Sequence, residues 1–227
     1  MPSSNLTHTA PAKPNAILFD WDNTLVNTWP TIHDAMNHTL VHFGMTPWSM
    51  DETRSRVRKS MRNTFPSLFG EAWLDAADVF YGRYQAIHVD RLEPLPGAEE
   101  LLAYLHQQQV FSSVVSNKVG NYLRIEARHL GWDHYLVHLV GAGDAEHDKP
   151  ALDPVLMALA DSGTAPQSTV WFAGDANIDL ECAQNAGCTP ILVRENKPDS
   201  NEVADLPPHH YVPNCSKFKV MVAQALG

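Results

Sequence analysis

The chain has 227 residues, 44% of them apolar, and a formal charge of -10. That length buries a sizeable core and leaves room for one large domain with a small insertion, while the acidic balance argues against nucleic acid, whose phosphates reward basic surfaces. No apolar run approaches the roughly 20 residues of a membrane-spanning helix and none follows a basic start as in a signal peptide, so the cytoplasm is the expected setting, with no membrane partner.

Residues 1 to 15, rich in Pro, Ser, Thr and Asn without apolar periodicity, read as a mobile tail. A first strand is expected over 16 to 21, where Ala16-Ile17-Leu18-Phe19 runs into Asp20-Trp21-Asp22-Asn23-Thr24. A short apolar run suits a buried parallel strand, which in an α/β protein delivers its carboxyl-end residues into the ligand crevice. Asp20 and Asp22 would meet a substrate there. One carboxylate can attack phosphorus, and a second two residues on can protonate the leaving oxygen and later activate water. Asp-x-Asp is also common in turns, where Asp bonds its own backbone, so this segment alone decides nothing. Trp21 points the other way along the strand and is expected in the core.

Between Asp22 and Leu95 no strand run is convincing, and the pattern predicts helices over Trp29 to Phe43, Met50 to Arg62 and Glu71 to Val89, interrupted by Pro47 and Pro66. His38 and His42 are spaced i, i+4 here, but no third ligand stands at plausible spacing and zinc is not expected. Arg54, Arg58 and Arg62 would form one basic stripe on a helix. It reads either as a clamp for a carboxylate or second phosphate of a substrate, or as a solvated face pairing with acidic neighbours.

Beyond Leu95-Pro96-Gly97 the pattern alternates. Strands are predicted over 110 to 116, 136 to 141, 169 to 174 and 189 to 193, and helices over about 97 to 109, 119 to 130, 151 to 162 and 177 to 187. Such alternation implies right-handed crossovers and a parallel sheet with helices on both faces, an α/β fold. Ser116-Asn117 closes one strand, Lys149-Pro150 precedes a helix, and Gly174-Asp175 closes another strand with Asp179 one turn on. A nucleophilic carboxylate facing an anionic phosphoryl group needs positive charge, hydroxyl or amide donors, and oxygen ligands for a hard cation. These residues supply all of them. Cys182, Cys188 and Cys215 are odd in number and lack CxxC spacing, which fits reduced thiols in a packed domain.

With these four segments the chain resembles the haloacid dehalogenase superfamily of aspartyl-nucleophile phosphohydrolases, whose motifs read Asp-x-Asp-x-Thr, Ser/Thr, Lys and Gly-Asp-x-x-x-Asp. The resemblance covers nearly everything after the first fifteen residues. It implies a Rossmann-like parallel-sheet core from residues 16–26 and 94–227, with 27–93 inserted as an all-helical C1 cap that closes over the active site. It implies Asp20 as nucleophile and Asp22 as acid and base, with Mg²⁺ held by Asp20, the carbonyl of Asp22, and Asp175. Asp179 would hold a metal-bound water, orient its neighbours, or simply cap its helix. On the substrate side Thr24 braces the loop, Ser116 and Asn117 donate to phosphoryl oxygens, and Arg58 belongs to the stripe that would grip a second anionic group. Lys149 offsets the repulsion between nucleophile and phosphate.

Asn23 stands where similar phosphatases carry Gly, a neutral change, since Asn tolerates positive φ. The dehalogenating branch has an aromatic residue, and the phosphonate-cleaving branch a small one, where this chain has Asp22. The phosphoglycolate phosphatase branch is the most similar, through the Leu95-Pro-Gly-Ala-Glu-Glu-Leu-Leu helix entry and the motif order. The implied function is Mg²⁺-dependent hydrolysis of a small phosphate ester, with 2-phosphoglycolate as a candidate. Two alternatives stay open: a β-phosphoglucomutase-like phosphoryl transferase, and a catalytically idle binding module, against which the intact Asp20, Asp22, Lys149 and Asp175 speak.

Overall fold

The computed structural model describes residues 12–57, 61–199 and 201–227, without the side chains of 61–63. Strand β1 (Ala16–Phe19) is buried along its whole length, as a run without polar residues must be inside a parallel sheet. The chain then turns at Asn23, whose φ is 61°. Its side chain holds the turn by accepting from the Thr28 amide at 3.2 Å and hydroxyl at 3.3 Å.

A two-residue strand, β2 (Val26–Asn27), pairs antiparallel with β3 (Glu93–Pro94). The intervening excursion therefore leaves and returns at neighbouring points. It contains α1 (Trp29–His42), α2 (Met50–Arg56), α3 (Met61–Phe69), a 3-10 turn (Gly70–Ala72) and α4 (Trp73–Ile87). Ser49 and Glu52 open α2 with a reciprocal capping pair, Glu52 N to Ser49 Oγ at 3.2 Å and Ser49 N to Glu52 Oε2 at 2.9 Å. The apolar faces of α1, α3 and α4 meet in a cluster around Met36, Leu40, Phe65, Phe80 and Tyr84. Two details depart from the sequence reading. The helix expected to run from 50 to 62 ends at Arg56, and Pro66 lies inside α3 instead of interrupting it; the ring's fixed φ suits a helix and removes one intrahelical bond.

The rest of the chain alternates through α5 (Ala98–Gln107), β4 (Phe111–Val119), α6 (Gly120–His129), β5 (Leu139–Ala142), α7 (Asp153–Ala158), β6 (Val170–Gly174), α8 (Asn177–Asn185), β7 (Thr189–Val193), β8 (His210–Val212) and α9 (Cys215–Leu226). The sheet order is β5-β4-β1-β6-β7-β8, and every neighbouring pair is parallel. The chain steps outward from β1 through β4 to β5, then crosses back to β6 on the other side of β1. That places a topological switch at the carboxyl end of β1, where such sheets bind ligands.

Alternation along β1 divides the core. Ile17 and Phe19 join Leu101, Leu105, Leu123 and Phe218 from α5, α6 and α9, whereas Ala16 and Leu18 join Val155, Ala158 and Ala183 from α7 and α8. Each large aliphatic or aromatic side chain so buried contributes about 1.5–3 kcal/mol relative to exposure.

Three expectations need correction. The mobile tail does not extend through residue 15, because Asn15 donates its amide to Thr169 O at 2.8 Å and its side chain to Thr169 Oγ1 at 3.0 Å; residues 1–11 lie outside the described ones. Helix α7 stops at Ala158, short of residue 162, and Asp161 follows at φ 65°, a left-handed conformation that cannot continue a helix. Strand β8 and helix α9 lay beyond the sequence reading. Three strand residues are too few for a visible period, while α9 is opened by Asn214, whose side chain accepts from Lys217 N at 2.9 Å. Among the described residues no helix is long and apolar enough to cross a membrane.

Candidate active site

Asp20 follows β1 directly and stays in the sheet by donating its amide to Ala173 O of β6 at 2.8 Å. Its side chain is buried and receives Lys149 Nζ on Oδ1 at 2.7 Å, while Thr24 Oγ1 donates to Oδ2 at 3.4 Å. The same Lys149 ammonium donates to Asp179 Oδ1 at 2.7 Å. Asp179 lies in the first turn of α8, where its other oxygen accepts from Ala176 N at 3.0 Å. Asp179 thus binds the backbone at the start of its helix with one oxygen and the lysine that meets Asp20 with the other. Gly174 makes the arrangement possible, since a Cβ there would overlap the Asp179 side chain. The next residue, Asp175, has its carbonyl bound by Arg194 Nη1 at 3.4 Å.

Carboxylate oxygens of Asp20, Asp175 and Asp179 lie within 4.8 Å of one another. Burial, reinforced by Asp179 and Asp20, pushes the Asp175 carboxyl well above its ordinary range. Asp179 is pushed up to about 6 by burial, with Lys149 pulling it back. Burial depresses Lys149, but the flanking Asp179 and Asp20 outweigh that and hold it above the usual lysine range. One ammonium facing three carboxylates leaves a surplus of negative charge on oxygen donors alone. That donor set fits a hard divalent cation.

Asp22 faces elsewhere. Its Oδ1 receives Lys118 Nζ at 2.5 Å, and the same ammonium reaches Glu126 Oε2 at 2.9 Å. Glu126, on α6, is fully buried. It accepts from Trp21 Nε1 at 2.7 Å and Tyr84 OH at 3.3 Å, and pairs with His88 Nδ1 at 2.7 Å. The Lys118 ammonium also lies 5.3 Å from the centroid of the Tyr84 ring. Burial raises the Asp22 carboxyl, Lys118 opposing. Glu126 goes the other way: burial would raise it, but the His88 bond and Lys118 together hold it below the usual range.

Sequence reasoning missed Lys118, Glu126, Tyr84, His88 and Arg194. Two signals were present. Lys118 stands two residues beyond Ser116, so on a strand both point to one side. Glu126 falls among Leu123, Ala127 and Leu130, a carboxylate in the apolar stripe of an amphipathic helix.

The expected donors behave differently from one another. Ser116 is buried, and its hydroxyl accepts from Lys118 N at 3.3 Å, which leaves the hydroxyl proton to donate. Asn117, expected to offer an amide to the substrate, is engaged with backbone: its Nδ2 donates to Lys149 O at 3.2 Å and its Oδ1 accepts from Lys149 N at 3.0 Å. Its amide thus pins the residue that pins Asp20. Arg58 lies outside the described residues, as does the Arg62 side chain. Of the remaining basic residues on α2, Arg54 lies over Trp29 at 6.0 Å, and Arg56 lies over Trp48 at 4.8 Å while pairing with Glu52 at 3.0 Å. His38 and His42 are exposed. The three cysteines are free and buried, and Trp21 packs edge-on to Trp132 at 5.8 Å, a core role as expected.

Comparison with known proteins gives a consistent picture. A family model described as haloacid dehalogenase-like hydrolase matches residues 17–193. An N-acetylmuramic acid 6-phosphate phosphatase from Pseudomonas aeruginosa is 30% identical over 79% of this chain and 81% of its own length. A phosphoglycolate phosphatase from Xanthomonas campestris is 29% identical over 78% of this chain and 82% of its own. Among solved structures, a haloacid dehalogenase-like hydrolase from Streptococcus pneumoniae superposes with a TM-score of 0.81 at 19% identity, over 91% of this chain and 97% of that one.

Proposed function

The chain belongs to the haloacid dehalogenase-like hydrolases, and we propose that it is a Mg²⁺-dependent phosphatase that cleaves a small phosphate monoester through an aspartyl-phosphate on Asp20. The observation that carries the proposal is Lys149 bridging Asp20 and Asp179 at 2.7 Å each, beside Asp175. A carboxylate held at the carboxyl end of the central strand by a fixed cation is what attack on an anionic phosphoryl group requires.

In this reading an Asp20 oxygen attacks phosphorus and the bond to the ester oxygen breaks. Asp22 gives its proton to that oxygen, and the alcohol leaves. Asp22, now a carboxylate, takes a proton from water as the water attacks the phosphorus of the aspartyl-phosphate. Phosphate departs, Asp20 is restored as carboxylate and Asp22 is again protonated. The raised Asp22 carboxyl supports the first of its tasks, because a general acid must hold its proton near neutral pH. Asp20, the Asp22 carbonyl and Asp175 would hold the Mg²⁺, with Asp179 behind them. When bound, the ion would draw charge from the phosphoryl oxygens. Ser116 would donate to the phosphoryl group, and residues 27–93, assigned as the cap, would exclude water and select the alcohol.

The named relatives act on different phosphate esters, so the substrate is set by the residues of this chain that surround the leaving group. A panel of small phosphate esters, including 2-phosphoglycolate and sugar phosphates, tests the reading by release of inorganic phosphate. Turnover is expected with Mg²⁺, abolished by chelation and restored by the ion. Calcium should inhibit, because its higher coordination number invites bidentate binding of the attacking carboxylate. Full activity in excess chelator would refute the metal assignment. A sugar 1-phosphate converted to its 6-phosphate without free phosphate would replace the hydrolase with a transferase.

A further inference from the structure

Glu126 is a buried carboxylate with no place in the aspartyl-phosphate reaction. It belongs to α6, outside every motif of the site, yet it is fully buried and among the described residues has four partners: Trp21, Lys118, Tyr84 and His88. A buried charge of this kind is costly unless each lone pair is met, and removal of one partner leaves the others uncompensated. Its partners fall into two pairs. Trp21 is the residue between Asp20 and Asp22, and Lys118 is the cation on Asp22, so two of the four act directly on the Asp22 segment. The other two, Tyr84 and His88, come from the end of α4 and the residue after it.

Resting on the reading of Asp22 as general acid, we infer that Glu126 is a positioning residue for Asp22, acting through Lys118 and Trp21, with His88 holding Glu126 from the helical excursion. A lysine ammonium on a four-carbon stem has three rotatable donors and no preferred direction of its own. The second carboxylate supplies that direction: Lys118 spans Asp22 Oδ1 at 2.5 Å and Glu126 Oε2 at 2.9 Å. The Trp21 bond ties the same Oε2 to the backbone that carries Asp22, at 2.7 Å. Asp22, its cation and its backbone are thereby referred to one fixed atom. Since His88 and Tyr84 meet the other oxygen of Glu126, the reference holds while α4 is seated against α6.

A residue that only supports the fold slows all substrates alike, whereas one that positions a general acid matters in proportion to how badly the leaving group needs a proton. The test is kcat/KM for phenyl phosphate and dinitrophenyl phosphate, close in shape but different in the basicity of the departing oxygen. Glu126→Gln should lower kcat/KM for phenyl phosphate by ~10-fold or more and that for dinitrophenyl phosphate by no more than ~2-fold, as expected when proton donation is misplaced but not removed. Equal losses on the two esters, or no loss on either in folded protein, would overturn the inference. Should Glu126→Gln fail to fold, His88→Leu decides by the same split. His88→Asn, which retains a polar group near the Nδ1 position, should restore the phenyl phosphate rate; failure to restore it would count against the inference. Asp22→Asn serves as the reference. If it shows no split, the assignment of Asp22 as acid is wrong, while a split there without one at Glu126 and His88 leaves that assignment standing and sinks only the inference.

Discussion

Each aspartate of the Asp20-Trp21-Asp22 segment is held by its own buried lysine, and each lysine is shared with a second carboxylate. Lys149 joins Asp20 to Asp179, and Lys118 joins Asp22 to Glu126. The two triads differ in what surrounds them. Around Lys149 a third carboxylate, Asp175, leaves the charge unbalanced and the donors are all oxygen. Around Lys118 the second carboxylate is met by an indole, a phenol and an imidazole. The first triad carries an excess of carboxylate, whereas the second meets its buried carboxylate with donors from the protein itself. That contrast matches a division of labour in which one aspartate meets phosphorus and metal and the other manages protons.

The largest expected effect comes from cutting the first triad at its nucleophile. Asp20→Asn is nearly isosteric but far less nucleophilic, so phosphate release should fall by at least ~10³-fold with phenyl and dinitrophenyl phosphate alike. More than about a tenth of wild-type activity in folded protein would remove Asp20 from its role.

The lysines provide the next comparison. Lys149→Met leaves the buried Asp20 and Asp179, and Lys118→Met the buried Glu126 and half-buried Asp22, without their cation, a loss of about 3–5 kcal/mol in stability, read by thermal or denaturant unfolding. Mg²⁺ should separate them. A divalent cation can take the place of the lost charge beside Asp20, Asp175 and Asp179, so Lys149→Met should recover stability on addition of Mg²⁺ by more than wild type gains, and Lys118→Met should not. Equal response in both variants would mean the two triads are not distinguished by a metal.

Much of this was legible in the sequence, and the reason is local. Asp20 and Asp175 directly follow the apolar runs of β1 and β6, where a strand end marks them, whereas Lys149 stands out only through the motif order of the family the chain resembles. The β1 strand and the central alternation were equally readable, because a short uninterrupted apolar run such as Ala16–Phe19, bounded by turn residues, has the length of a buried strand and is too short for a typical helix. What escaped was long-range. Glu126 meets His88 across 38 positions and Trp21 across 105, and no periodicity links such residues. Asn117 shows the same limit in reverse. It is expected beside Ser116 as a donor to the substrate, but its amide is turned to the Lys149 backbone, 32 positions away.

That pairing gives a smaller, more specific effect. Asn117→Ala removes two hydrogen bonds to the Lys149 backbone, for a stability loss of about 1–2 kcal/mol. Since the bonds hold the loop that presents Lys149, kcat/KM should also fall, by roughly 10-fold for both aryl phosphates. A fall confined to phenyl phosphate would instead associate Asn117 with the Asp22 triad and break the division proposed between the two.

The smallest effect concerns buried groups that have no counter-charge at all. Burial alone would push a lysine down, and both buried lysines stand above the usual range because their carboxylate partners win. For Cys215, burial acts without such opposition and pushes the thiol up to about 12. The folded thiol therefore keeps its proton through a range in which the unfolded thiol, ionising near its ordinary value, has lost it. Stability from this group is complete below the unfolded value and is lost as pH rises toward the folded one. Wild-type protein should thus lose about 1–2 kcal/mol more stability than Cys215→Ala between neutral pH and a pH of roughly 10.5, measured as the shift in urea midpoint. Parallel pH profiles for the two proteins would show that the Cys215 site is more hydrated than its packing between Thr24 and the core implies, and would weaken the claim that charge pairing, not exposure, is what keeps the two lysines ionised.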